Sequence, residues 1–164
     1  MILGMTAFTF FHVALSLMGI FSGFVVVFGL LTSKALPGWN AFFLITTALT
    51  SITGFFFPFH KFLPSHGVGI GSLLVLALAF PALYVFHLAG PWRRVYVITA
   101  VAAQYLDVFV LIAQLFGKVP ALKAIAPTQS APAFLITQAV VMVIFMAVGI
   151  LAAKRFKVDA VRTA

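Results

Sequence analysis

Long apolar runs, separated by short clusters of proline, glycine and charge, set the pattern of this chain. A helix needs about 20 apolar residues to cross the hydrocarbon core of a bilayer. Five runs reach that length, at roughly 6–32, 39–58, 67–88, 94–116 and 132–153. The breaks between them carry helix-ending residues: Lys34 with Pro37-Gly38, Pro58 and Pro64 around His60-Lys61, Gly90-Pro91 ahead of Arg93-Arg94, and the stretch from Gly117 to Pro132. Glycine and proline end helices at such points because one adds backbone freedom and the other lacks an N–H. The pattern predicts an all-α integral membrane protein: one bundle of about five transmembrane helices occupying residues 1–164, with 154–164 as a basic tail. The first run lacks the basic n-region and small-residue cleavage site of a signal peptide, so it is expected to be retained as the first helix.

Composition supports that class. Hydrophobic residues make up 64% of the chain and charged residues 7%, which leaves too little polar surface to clothe a soluble globule. The formal charge of +8 comes from Lys and Arg at the ends of apolar runs. They form no patch with interleaved aromatics, which excludes nucleic acid as a partner and leaves the lipid bilayer. The chain contains no cysteine, so disulfides, thiolate metal sites and cysteine nucleophiles are excluded. Five spans would place Lys34, Arg93, Arg94, Lys154, Arg155, Lys157 and Arg162 on one side and Lys61, Lys118 and Lys123 on the other. By the positive-inside rule the N-terminus is then outside and the C-terminus cytoplasmic, with Trp39 and Trp92 as inner interface anchors. The expected location is a bacterial inner membrane.

On this topology the polar residues crowd into the outer half. Thr6, Thr9, His12 and Ser16 lie there in the first run, and Thr46, Thr47, Thr50, Ser51 and Thr53 extend from the middle to the outer end of the second. Gln104, Tyr105 and Asp107 fall near mid-depth in the fourth run, Gln114 lies near its exit, and Gln129, Ser130 and Gln138 lead into the fifth. The connection over 117–131 is the longest, and its apolar Val119, Leu122 and Ile125 suit a segment lying on the interface. A pocket opening outward is expected, lined by Thr50, Gln104, Gln114, Gln129 and Gln138. Ser16, Gly19 and Gly23, and Gly67 and Gly71, are expected to allow close helix crossings. The Gly-rich stretch His66–Gly71 opens an apolar helix with no strand before it, which argues against nucleotide binding.

Asp107 carries the most information, because an intramembrane carboxylate is costly and normally faces the bundle interior. It is expected either to relay protons or to clasp neighbouring helices through hydrogen bonds, with Gln104, Asp107 and Gln114 forming one inward stripe. His12, His60 and His66 form a second constellation that could converge near the outer interface on haem iron or a transition metal. Their spacing matches no standard metal signature, and interfacial histidines are the plain alternative for His60 and His66. His12 lies inside a span and needs a partner. His87 is expected to be interfacial, beside Trp92 and Arg93. Phe55-Phe56-Phe57 and Phe59 could face a flat ligand such as quinone or haem, or simply lipid. No Ser/His/acid set suits a hydrolase.

Three functions follow. The leading one is a small membrane redox or cofactor-binding protein with an outer-half polar pocket. The others are an accessory or assembly subunit of a larger membrane complex, with other subunits or a second copy as partner, and a small-molecule or proton transporter. The nearly apolar inner half argues against the last.

Overall fold

Helix starts follow local chemistry. Thr6 caps the first helix, its hydroxyl accepting the Thr9 N–H at 3.2 Å, and Pro37, Pro120 and Pro132 each sit at a first turn, where a missing N–H costs nothing. The computed structural model describes residues 6–57 and 64–157. It contains α1 Ala7–Leu31, α2 Pro37–Gly54, α3 Pro64–Tyr84, α4 Trp92–Lys118, α5 Pro120–Ile125 and α6 Pro132–Arg155, with no strand among the described residues.

Among the described residues, four helices are long and apolar enough to cross a membrane: α1, α3 over Ser65–Tyr84, α4 and α6. The second expected span, 39–58, corresponds to the shorter α2, which falls outside that set because Asn40, Thr46, Thr47, Thr50, Ser51 and Thr53 dilute its apolar character. Thr46, Thr47 and Ser51 are buried, while Phe42, Ile45, Leu49 and Ile52 are exposed on the opposite surface. The third helix also departs from expectation, ending at Tyr84 instead of 88. Pro81 inside it has no N–H to give, its carbonyl accepts from both Val85 and Phe86, and His87, Leu88 and Gly90 then adopt left-handed backbone. Phe86 and Trp92 stack at 3.9 Å to close this turn.

Side-chain pairs fix the directions of the helices. His12 meets Thr53, and Phe21 meets Trp39, so α1 and α2 run antiparallel. Phe55 packs on His66 and approaches Gly69, which turns α3 back along α2. Gln138 bonds the Phe109 carbonyl while Arg93 bonds that of Ala153, so α6 runs antiparallel to α4. Contacts between α1 and α4 close the ring, and α6 lies against both.

Two unlike ends result. At one, the Lys157 N–H donates to Ser33 Oγ at 2.9 Å and Arg93 donates to the Phe156 carbonyl, which gathers Lys34, Arg93, Arg94, Lys154, Arg155 and Lys157. The other holds His12, Thr53, Phe57, His66 and Lys118. The apolar core lies toward the basic end, where Val26, Leu30, Leu44, Leu76, Ala79, Val97 and Ala100 pack together. The 117–131 connection contains α5, none of whose residues is buried.

Candidate functional site

Glycine sets the closest helix approaches. A Cβ at Gly19 would stand 3.3 Å from Thr47 Oγ1, 3.5 Å from Thr46 Oγ1 and 3.7 Å from Asp107 Oδ2. At Gly23 it would overlap the Gln104 amide and the Phe43 ring. His12, Ser16, Gly19 and Gly23 recur at steps of four, three and four, so they line one face of α1. The small residues bring α1 against α2 and α4 and leave a narrow polar seam among the three. On α3, the expected approach at Gly67 and Gly71 is tightest at Gly69, where an added Cβ would stand 3.3 Å from the Phe55 ring, while Gly67 is exposed. Buried Ser72, Leu76 and Ala79 define the inward face there, and Gly69 continues their stripe.

Hydroxyls in this bundle mostly satisfy themselves. Ser16, Ser22, Thr46, Thr53, Thr99 and Thr137 each donate to a carbonyl one turn back in their own helix. Thr47 departs from this habit and donates across the seam to Asp107 Oδ2 at 2.9 Å. One turn further along α2, Thr50 Oγ1 is buried and makes no hydrogen bond among the described residues. Another turn on, Thr53 Oγ1 lies 2.8 Å from His12 Nδ1. Thr53 has a single proton, given to the Leu49 carbonyl at 2.7 Å, so the network assigns the donor role to Nδ1–H and leaves the lone pair on Nε2. Phe57 covers the His12 ring edge-on at 5.0 Å. Thr47, Thr50 and Thr53 therefore form a ladder of hydroxyls about 9 Å long at 1.5 Å per residue. Asp107 stands at its deep end and His12 at its outer end.

The remaining expected site residues divide clearly. Gln104 is fully buried beside Asp107, its Nε2 donating to the Ile20 carbonyl at 2.9 Å and its Oε1 without a partner among the described residues. Gln138 is buried but lies outside the seam, tying α6 to α4 through the Phe109 carbonyl at 3.1 Å. Gln114 and Gln129 are exposed. Gln114 lies within about 20° of Asp107 in helical phase, yet near the end of α4 that face is exposed. His66 is buried against Phe55 in the first turn of α3, and His87 is exposed in the turn at the basic end. His60 and Phe59 lie outside the described residues. Among the described residues, no three His, Cys, Asp or Glu side chains gather to hold a metal ion.

Sequence reasoning allowed a Thr or Gln neighbour for Asp107 without singling out Thr47. The signal lay in matching depths: α2 and α4 run in the same direction, and Thr46-Thr47 falls level with Asp107. It also missed the Tyr96–Asn40 hydrogen bond of 2.8 Å, which satisfies a fully buried phenol. No family model, curated protein or solved structure matches this chain.

Proposed function

We propose that this chain is a small five-span protein of a bacterial inner membrane, N-terminus outside and C-terminus cytoplasmic, whose α1/α2/α4 seam exchanges a proton at Asp107. That exchange accompanies a ligand or redox cofactor held at the end where His12 and His66 lie. The carrying observation is the Thr47–Asp107 hydrogen bond at a close crossing of three helices, formed by a hydroxyl turned away from its own backbone. A carboxyl and an imidazole are the seam's two proton-exchanging groups, and the Thr ladder spans the distance between them. The His12 Nε2 lone pair suits it to receive a proton or to bind a metal or haem iron.

Two features support five spans. At 1.5 Å per residue the 18 residues of α2 extend about 27 Å, close to the thickness of a bilayer core. Its hydroxyls face inward while Phe42, Ile45, Leu49 and Ile52 face out. The gathering of six basic residues at one end supports a cytoplasmic C-terminus.

The test is infrared difference spectroscopy across about pH 4 to pH 9 on protein carrying Asp159→Asn, which removes the other side-chain carboxyl. A carboxyl C=O band that changes with pH and vanishes on Asp107→Asn is the expected result. Thermal stability should change by less than about 1 kcal/mol, because Asn still offers Thr47 an acceptor. A pH response identical in both proteins would overturn the proposal. So would a silent Asp107→Asn combined with marked instability of Asp107→Leu, which would make Asp107 a packing contact only.

A further inference from the structure

At the basic end, outside the seam, a groove of about 540 Å³ runs between α4 and α6, lined by Arg93, Arg94, Ile98, Gly149, Ile150, Ala153 and Lys154. Its construction follows from helical spacing. Arg94 and Ile98 are four residues apart on α4, and Ile150 and Lys154 are four apart on α6, so each helix sets one cation above one branched apolar side chain. Rising 1.5 Å per residue, the two isoleucines lie about 6 Å deeper toward the membrane than the two cations. Gly149 and Ala153, also four apart, keep the floor low.

Arg93 is committed elsewhere. Its guanidinium donates to the carbonyls of Ala153 and Phe156, satisfying the end of α6 and clamping that end against α4. Arg94 and Lys154 are exposed, and neither makes a hydrogen bond or ion pair among the described residues. Among the described residues, no carboxylate lines the groove. An apolar trough leading up to two free cations complements a molecule with an anionic head and a hydrocarbon tail.

We propose that this groove is a binding site for one anionic phospholipid, its phosphate held between Arg94 and Lys154 and one acyl chain lying along Ile98, Gly149 and Ile150. Arg94 offers the planar, multiply donating group that recognises phosphate oxygens, and Lys154 supplies a second point charge. The site is independent of the proton-exchange proposal, since it shares no residue with the seam.

The test is native mass spectrometry and vesicle reconstitution of the whole chain, comparing phosphatidylglycerol with phosphatidylcholine of identical acyl chains. Wild-type protein should retain phosphatidylglycerol at least about tenfold more tightly, a difference of about 1.4 kcal/mol. Arg94→Gln combined with Lys154→Gln should abolish most of that preference. Lys34→Gln combined with Arg155→Gln removes the same charge from the same end outside the groove, and should leave the preference within about twofold. Equal loss in both pairs would overturn the site, because attraction would then be diffuse. Inorganic phosphate displacing the lipid at equal concentration would also overturn it, since the groove's apolar floor would then contribute nothing. A wild-type protein without preference would do the same.

Discussion

Gly23→Ala is the most demanding substitution the bundle offers. The added methyl carbon would lie 1.7 Å from Gln104 Oε1, 2.5 Å from Gln104 Cδ and 2.7 Å from Phe43 Cε2, all well inside the roughly 3.5–4.0 Å of an unstrained carbon contact. An amide at the end of a flexible side chain can swing away when there is room. Gln104 and Phe43 have none, since both are fully buried, and the amide is also tied to the Ile20 carbonyl at 2.9 Å. Forcing an extra methyl into a packed core costs about 1–3 kcal/mol, and a hydrogen bond lost inside a membrane bundle costs roughly 0.6–1.7 kcal/mol. Alanine returns up to about 1 kcal/mol through its helix propensity. The expected net loss is about 1–3 kcal/mol, read from unfolding in mixed detergent micelles containing increasing dodecyl sulfate.

The decisive measurement is the cycle with Gln104→Ala. That change removes the atoms the new methyl meets first, so the double variant should be more stable than the two single losses sum to, by about 1 kcal/mol or more. Gly71→Ala, whose nearest neighbour would be 3.9 Å away, and Gly38→Ala, which meets open space, should stay within about 0.5 kcal/mol of wild type or gain slightly. A Gly23→Ala protein as stable as wild type would refute the geometry, and so would strict additivity with Gln104→Ala.

Two further outcomes are expected. His12→Ala should lower stability by about 1–2 kcal/mol through loss of the Thr53 hydrogen bond and the Phe57 edge contact, whereas His87→Ala, at an exposed position, should stay within about 0.5 kcal/mol. Equal tolerance of the two would remove His12 from the seam. In this cysteine-free chain, single cysteines at Ser65 and Ser130 should react with an impermeant thiol reagent from outside, and one at Ser33 should not. Labelling of Ser33 and Ser65 from the same side would sink the five-span arrangement.

The bundle was legible in the sequence because its signals are long and redundant. Apolar runs and their Pro/Gly breaks located all the long helices, and the stripe Ser16, Gly19 and Gly23 announced the tight face of α1. Boundaries were weaker wherever a backbone preference competed with hydrophobicity. Tyr84 ends α3 although Val85, Phe86 and Leu88 continue the apolar run, because Pro81 disrupts the helical ladder and three residues turn left-handed. Asp107 and Gln104 could be singled out because burial makes polar atoms conspicuous by type alone. Their partners could not, since pairing depends on the phase between helices. A shift of 100° separates Thr46, bonded to its own helix, from Thr47, bonded to Asp107. Gln114 shows a second limit: its type and helical phase both suited the pocket, while its position near the end of α4 leaves it exposed.

The two halves of the molecule obey different packing rules, and this bears on the kind of chemistry the seam can support. Toward the basic end, Val26, Leu30, Leu44, Leu76, Ala79, Val97 and Ala100 close the interior with apolar side chains. The buried Tyr96 phenol there is satisfied by half-buried Asn40. A charged group moving past that plug would shed its partners in a medium where each unsatisfied polar atom costs several kcal/mol. Toward the other end, the interior still contains hydroxyls, a carboxyl and an imidazole, with Thr50 Oγ1 unpartnered among the described residues between two bonded neighbours. A group entering from the His12 end would therefore meet polar partners as far as Asp107 and the Gln104 amide one turn deeper, and below them polar groups already bonded within the bundle. A two-sided transport path needs polar lining at both ends, and this seam has it at one. The proposed proton exchange at Asp107 would therefore proceed from the His12 end alone, with Gly19 and Gly23 holding α1 close against α2 and α4.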